Sequence, residues 1–493
     1  MEISNRSETS FTLPAPELQF LASTNHIYDY EHLYGFTEIL KRELSDITFS
    51  KKEPLLIISH SSDEQVFLIA AAFLLNVPVM LIHPESSGSD LNHILKQVEP
   101  KLVYSDQESM PDSLKDLQRL NIDSSWLSLT TKADSELLGD PNPDSICGLF
   151  LTSGSSGFPK IVPIKRRQAF SAANSSAQNF KTGKNKYWLL CLPLNHIGGV
   201  SIIYRSLIYH SAIFRMDRFD ADQANIFLSE NPLFEVASLV PTMLLRMLED
   251  PMFRVHRSFK AILLGGGPIP NDLINQSITR GIPLVLSYGM TETCAQIAAN
   301  SLLSPSGTYT PKSSVGPIFK PNQIEIRDDS GQSVPKREEG QIWLKGPQIF
   351  DGYLDSTLDK KQFDKDGWFH TGDFGHINRN DQLFIKSRRT DLIITGGENV
   401  NPYIVEDELI KHNDITECAV LGVNDDKWGQ KIVALYVSNN ENINETDLKE
   451  MLKRQIRNFQ VPKEFIRVDN LPKTALGKIK RGDLKLTYDN HTG

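Results

Sequence analysis

Short, fully apolar runs recur along the first 290 residues, separated by longer stretches with helical or mixed periodicity. Strands are predicted over 55–59, 77–83 and 102–104, with helices over 63–75 and 91–97 between them. The longest apolar stretch, 66–82, is short for a membrane span and is interrupted by Asn76 and Pro78, so it reads as a buried helix followed by a buried strand. The pattern resumes with strands at 146–151 and 188–193, helices at 168–180 and 200–209, a strand at 238–242 with a helix at 243–248, and strands at 261–264 and 284–287. Alternation of this kind points to parallel α/β sheets. Residues 1 to about 50 carry little chemistry, and 108–143 is a polar surface connection. From 340 the chain becomes β-rich, and 391–493 reads as a small α+β domain with strands at 392–394, 419–423 and 432–437 and helices at 405–411 and 445–457.

Composition narrows this picture without changing it. A chain of 493 residues, 40% hydrophobic and 23% charged, supports more than one domain with ample core. The net charge of −9 argues against a general nucleic-acid binder. Cys147, Cys191, Cys294 and Cys418 are far apart and form neither a C-x-x-C pair nor a zinc spacing, which fits a reducing, cytoplasmic compartment. The first residues lack the apolar core of a signal peptide, no membrane span is expected, and a homo-oligomer is left open.

The chemistry centres on 151–160, LTSGSSGFPK. After an apolar strand come Thr152, Ser153, Gly154, Ser155, Ser156, Gly157 and Lys160. Small residues let backbone N–H groups and hydroxyls wrap phosphate oxygens, and a lysine adds a compact charge. A Ser/Gly surface loop is the plainer alternative. The spacing is not that of the NTPase phosphate loop, and no nucleophile elbow is present. Further on, Gly265, Gly266 and Gly267 follow a strand, which permits close approach of a flat ligand. In the run Tyr288-Gly289-Met290-Thr291-Glu292 an aromatic can stack on a base, a hydroxyl can bond phosphate and a carboxylate can hold Mg²⁺. Asp373 follows a glycine turn and offers two acceptor oxygens. On spacing alone His196 reads as a satisfied, partly buried histidine, and the basic loop at 471–481 as a solvated face.

Taken together and in this order, these motifs closely resemble the adenylate-forming superfamily of acyl-CoA synthetases, adenylation domains and luciferases. The resemblance covers nearly the whole chain. It implies an N-terminal adenylate-forming domain over 1–389, built of α/β subdomains plus a β-rich subdomain, and a small mobile α+β C-terminal domain over 390–493. It implies that the loop from Thr152 to Lys160 holds ATP phosphates, that Gly265–Gly267, Tyr288 and Gly289 bind adenine, and that Thr291 contacts the α-phosphate. Glu292, with Thr152, is the magnesium ligand, while Asp373 and Arg388 reach the ribose. His196 lines the acyl pocket, Thr390 is the hinge, Gly396 and Gly397 border the CoA entrance, and Lys478, in a P-x-T-x-x-G-K-x-x-R pattern, serves adenylation. The implied substrates are a small carboxylic acid, ATP and CoA, with Mg²⁺. Four positions depart from the usual pattern: Ser156 for threonine, Ile161 for glycine, Ser387 for glycine, and Thr390 where aspartate or lysine is usual.

The stretches PLNHIGG, LLGGGPIP, SYGMTETCAQI and ITGGENVNP further resemble the o-succinylbenzoate–CoA ligases. Such an acid has a ring, a ketone and a second carboxylate, so its pocket needs polar donors among apolar walls. Gln296 is the candidate donor to the ketone or carboxylate. Arg205 is a candidate partner for the second carboxylate, directly or through water; the plainer and favoured reading is a surface or structural arginine. Competing expectations are a ligase for medium-chain or aryl monocarboxylic acids, a stand-alone enzyme loading a carrier protein, and a nucleotide-binding regulator that has lost turnover. Intact Glu292, Asp373 and Lys478 argue against the last.

Overall fold

The computed structural model describes residues 11–492 apart from 87, 108–111, 133–141, 153–158, 268, 303–313, 389–392, 396–397, 426–427, 441–442, 474–476 and 478. The alternating pattern forms two sheets. The first has six strands, in the order Gln118–Arg119, Leu102–Ser105, Leu55–Ile58, Val79–Ile82, Ile146–Thr152 and Lys160–Lys165, parallel except for the last pair. The second has eight, in the order Ala295–Ala299, Leu284–Met290, Ala261–Leu264, Phe234–Leu239, Tyr187–Leu190, Ala212–Arg215, Gln19–Ala22 and Ile27–Asp29. Its six inner strands are parallel, and each edge closes in an antiparallel hairpin.

Successive side chains on a strand point to opposite faces. Leu55, Ile57, Val79 and Leu81 therefore enter a core shared with Trp188, Leu190, Val236 and Leu263 of the other sheet. Helices Tyr30–Glu43, Asp63–Leu75, Arg166–Ala177 and Ile197–Tyr209 contribute to the same core. The intervening residues Leu56, Ile58, Met80 and Ile82 face a second core with Leu91 and Ile94. Leu189, Phe214, Ile262 and Leu264 face a third, with helices Ala221–Glu230, Pro241–Leu248 and Asn271–Thr279. Strands covered on both faces read as unbroken apolar runs, as these do. Helix Asp63–Leu75 is apolar nearly all round for the same reason, with eleven of its thirteen residues buried. No described helix is long and apolar enough to cross a membrane.

The structure departs from the sequence reading in several places, among them the edge strand Gln118–Arg119 within the expected surface connection. Residues 19–43, to which the sequence reading assigned little chemistry and no elements, complete the larger sheet and cover it. Lys160–Lys165 is a strand whose terminal lysines and Pro163 conceal it; it pairs antiparallel with Ile146–Thr152 at the sheet edge, where a proline is tolerated. Helix Ile197–Tyr209 begins three residues before the expected 200, so Gly198 and Gly199 lie in its first turn rather than at a strand end. A Cβ on Gly199 would sit 2.6 Å from the Pro193 carbonyl oxygen, so the close approach of the two segments requires glycine.

The β-rich region is an antiparallel sheet of Gln323–Arg327, Gly340–Lys345, Phe369–Ile377 and Leu383–Arg388. Beyond it, strands Ile393–Thr395, Glu398–Val400, Ile415–Asp425, Gly429–Ser438 and Glu464–Arg467 form a five-stranded sheet with helices Pro402–Leu409, Glu445–Lys453 and Leu484–Thr492. Its two apolar clusters draw only on residues from 393 onward, so this unit has a core of its own.

Phe67 is fully buried in the inter-sheet core, edge-on to Phe20, Tyr28 and Phe36 at 5.2–5.5 Å. Phe67→Ala is expected to cost about 3–5 kcal/mol, read as a lower urea midpoint for the N-terminal unit. A loss well under about 1 kcal/mol would contradict this packing.

Candidate active site

In open α/β sheets ligands gather beyond the carboxyl ends of the strands. Two neighbouring strands of the larger sheet deliver motifs there. Ala261–Leu264 runs into Gly265, Gly266 (φ +80°) and Gly267. Leu284–Met290 carries Tyr288 and Gly289 into the short turn Thr291–Thr293 and then returns as Ala295–Ala299. Gly289 lies where the two limbs cross most closely: a Cβ there would be 2.0 Å from the Ala295 carbonyl oxygen.

This hairpin aims side chains in three directions. Tyr288 is buried and its hydroxyl donates to Asp373 Oδ2 at 2.7 Å, tying the larger sheet to the antiparallel one. The Asp373 N–H donates to Thr371 Oγ1, and Arg388 is its cross-strand partner, so both ribose candidates lie on one hairpin. Glu292, also buried, accepts a 2.9 Å hydrogen bond from the Tyr353 hydroxyl on Oε1. Lys160 Nζ lies 4.9 Å from the centre of the Tyr353 ring, and Lys160 pairs across its hairpin with Thr152. Both strands of that hairpin pack against the Thr291–Thr293 turn, so the base of the serine-rich loop adjoins Glu292.

In the third direction Gln296, 4% exposed, accepts from Ser176 Oγ at 3.0 Å, while its Nε2 meets no acceptor among the described residues. Arg205 is not a surface residue: it is 2% exposed, its guanidinium lies 5.2 Å from the Trp188 ring centre, and Nη1 donates to Ser201 Oγ at 3.1 Å. Its Nε and Nη2 make no well-aligned hydrogen bond among the described residues, although the Tyr209 hydroxyl lies near enough to interact with the guanidinium. Burial draws the Arg205 guanidinium below its ordinary range, against the opposing influence of Tyr209 and Cys294. Burial likewise raises the Tyr209 hydroxyl, which neighbours both Arg205 and Ser176. Arg205, Tyr209, Ser176 and Gln296 therefore form one buried polar cluster beside Cys294. The Cys294 thiol is itself pushed well above its ordinary range by burial, which suits packing rather than nucleophilic attack. His196, partly buried, takes the N-terminal cap position of the helix that carries Arg205.

Ser153, Gly154, Ser155, Ser156, Gly157, Thr390, Gly396, Gly397 and Lys478 lie outside the described residues, as does the side chain of Arg388. The neighbour of Lys478 is described: a Cβ on Gly477 would lie 3.4 Å from Thr242 Oγ1, so the terminal loop reaches the larger unit beside the glycine turn at 265–267. Sequence reasoning missed Tyr353, Ser176 and Tyr209. Only Tyr353 carried a local signal, an aromatic directly after a turn glycine, Gly352.

Residues 15–354 match the AMP-binding enzyme family, and residues 404–478 match the AMP-binding enzyme C-terminal domain. The chain is 33% identical to a 2-succinylbenzoate–CoA ligase of Bacillus licheniformis over 85% of this chain and 87% of that one. It is also similar to the o-succinylbenzoate CoA synthetase of Bacillus subtilis in complex with the acyl-adenylate intermediate OSB-AMP, with a TM-score of 0.85 and 30% identity, covering 95% of this chain and 96% of that one. A double mutant of that synthetase bound to the product analogue OSB-NCoA aligns with a TM-score of 0.69 at 30% identity, covering 96% of each chain. The chain belongs to the AMP-binding enzyme family.

Proposed function

We propose that this chain is an ATP-dependent ligase that joins o-succinylbenzoate to CoA through an acyl-adenylate. The observation that carries the substrate is the set of buried N–H groups on Arg205 and Gln296 with no well-aligned acceptor among the described residues. Buried donors without well-aligned acceptors are costly, and a ligand that supplies acceptors at this point would satisfy them. A ketone and a second carboxylate do so; an alkyl or simple aryl acid does not.

In the first half-reaction the substrate carboxylate attacks the α-phosphorus of ATP, the acyl–phosphate bond forms, and pyrophosphate departs. A carboxylate is already nucleophilic, so the protein's work is placement and charge neutralisation. Tyr288 packs against adenine while its hydroxyl fixes Asp373 to accept from the ribose, with Arg388 opposite. Thr152 and Ser153–Gly157 cradle phosphate oxygens, with Lys160 at the exit of the loop, and Thr291 bonds the α-phosphate. His196 lines the acyl pocket. Glu292, oriented by Tyr353, and Thr152 offer the hard oxygen ligands that would hold Mg²⁺. Bound there, the ion would neutralise phosphate charge.

In the second half-reaction the CoA thiolate attacks the acyl carbon and AMP leaves. The unit from 390 onward turns about Thr390, withdrawing Lys478 and bringing Gly396 and Gly397 to the thiol entrance. Domain rearrangement is a known way for one site to run two steps. The closeness of Gly477 to Thr242, and the higher similarity to the adenylate-bound than to the product-analogue structure, support an adenylation arrangement. The four free, buried cysteines support a cytoplasmic setting.

Arg205→Met keeps volume and removes a buried cation. It is expected to raise KM for o-succinylbenzoate by about 10- to 100-fold with KM for ATP little changed, and to leave Tm unchanged or higher. An unchanged o-succinylbenzoate KM would remove Arg205 from the site. Lys478→Ala is expected to abolish most adenylate formation, measured by pyrophosphate release, while sparing thioester formation from supplied adenylate. Equal losses in both half-reactions would contradict the alternation.

A further inference from the structure

The turn that joins Glu292 to Gln296 has an unusual backbone. Cys294 and Ala295 are consecutive non-glycine residues in the left-handed region, at φ +50° and +72°. Side chains disfavour that region, and such residues persist only where the surroundings over-determine them. Thr293 supplies part of the restraint, since its hydroxyl sits between the Met290 and Ala295 carbonyl oxygens at 3.0 and 2.7 Å. The rest comes from a residue 52 positions away from Gln296. Gln348 is fully buried, and its side-chain amide donates both to the Thr293 carbonyl at 2.7 Å and to the Gln296 carbonyl at 2.6 Å, bracketing the two strained residues. Asn322 fixes that amide in turn, donating to Gln348 Oε1 at 3.2 Å and accepting from the Gln348 backbone N–H at 3.3 Å.

We infer that Gln348 is a positioning residue for acyl specificity: its amide holds the Thr293–Gln296 turn left-handed and so sets the direction in which Gln296 presents its side chain to the acid. Without the amide, two carbonyls lose a side-chain donor, and backbone acceptors that lose partners drive local rearrangement. Rotation of Ala295 out of the left-handed region turns the next side chain, Gln296, away from Ser176. Glu292 is protected from the same change by separate restraints, the Tyr353 hydroxyl on its carboxylate and the Phe350 N–H on its carbonyl at 2.8 Å. The consequence is asymmetric: loss of Gln348 acts on the acid side of the site and spares the ATP side. This inference rests on the ligase reading above for the identity of the acid.

The test compares wild type, Gln348→Met and Asn322→Ala as full-length enzymes, with Tm recorded for each. The readouts are KM for ATP and the ratio of kcat/KM for o-succinylbenzoate to that for benzoate. Gln348→Met, which keeps the volume and removes both donors, is expected to lower the ratio by about tenfold or more with KM for ATP within about twofold of wild type. Asn322→Ala leaves the donors and loosens the amide that carries them; it lowers the ratio in the same direction by a smaller factor, and it serves alone if the Met variant does not fold. A folded variant with an unchanged ratio overturns the inference, as do parallel losses for both acids and ATP. The wild-type arm separates the two readings. A wild type that prefers another acid sinks the o-succinylbenzoate assignment, and Gln348 is then judged on the ratio for the preferred acid.

Discussion

The site depends on one hairpin at the edge of the eight-stranded sheet. Strand Leu284–Met290 ends a parallel sheet, where ligands gather, and its return strand crosses so close to Gly289 that no side chain fits between them. That crossing forces a tight reversal through Thr291–Ala295. Tyr288, Glu292 and Gln296 lie four residues apart on it and face three different neighbourhoods: Asp373 of the antiparallel sheet, Tyr353 with Lys160, and Ser176 within the inter-sheet core. A nucleotide, its phosphates and an acid can thus be addressed by one short segment, provided that segment is rigid. Its rigidity comes from hydrogen bonds to groups distant in sequence.

The second constraint is electrostatic. Helices Asp63–Leu75 and Ile197–Tyr209 are largely apolar, yet Arg205 of the second is buried between the two sheets with part of its guanidinium lacking a well-aligned acceptor among the described residues. A buried cation left in that state lowers stability. Proteins tolerate such groups where function demands them, and the neighbouring unmatched amide of Gln296 gives the demand a chemical shape: an acid with acceptors beyond its reacting carboxylate. The phosphate side is arranged on the opposite principle. Glu292 has its acceptor capacity partly engaged by Tyr353, which orients a charge before any ligand arrives.

Much of this was legible in the chain. Runs such as 55–58 and 261–264 are apolar because both faces of their strands are covered, and helix Asp63–Leu75 was recognisable down to its terminal residues because Ser62 caps it and Asn76 ends it in a left-handed conformation. Tyr288, Glu292 and Asp373 stood in motifs whose chemistry is local to a few residues. What was not legible depended on long-range pairing. Strand Lys160–Lys165 exists because Ile146–Thr152 offers it an edge, and Gln19–Ala22 because Ala212–Arg215 does. Arg205 read more readily as a surface or structural residue, since only the packing of helix Ile197–Tyr209 between two sheets decides its burial. Tyr353 and Gln348 act on residues more than fifty positions away; Gly352 marks a turn before Tyr353, but nothing in the neighbours of either residue names the partner.

The most direct measurement is CoA-thioester formation by mass spectrometry with MgATP, CoA and a panel of o-succinylbenzoate, benzoate, a 4-coumarate-type acid and octanoate. The buried, unmatched donors predict that o-succinylbenzoyl-CoA dominates, with kcat/KM above that for benzoate by about a hundredfold or more. Equal or better use of benzoate or octanoate would contradict the account, and AMP release without any thioester would contradict CoA as the acceptor.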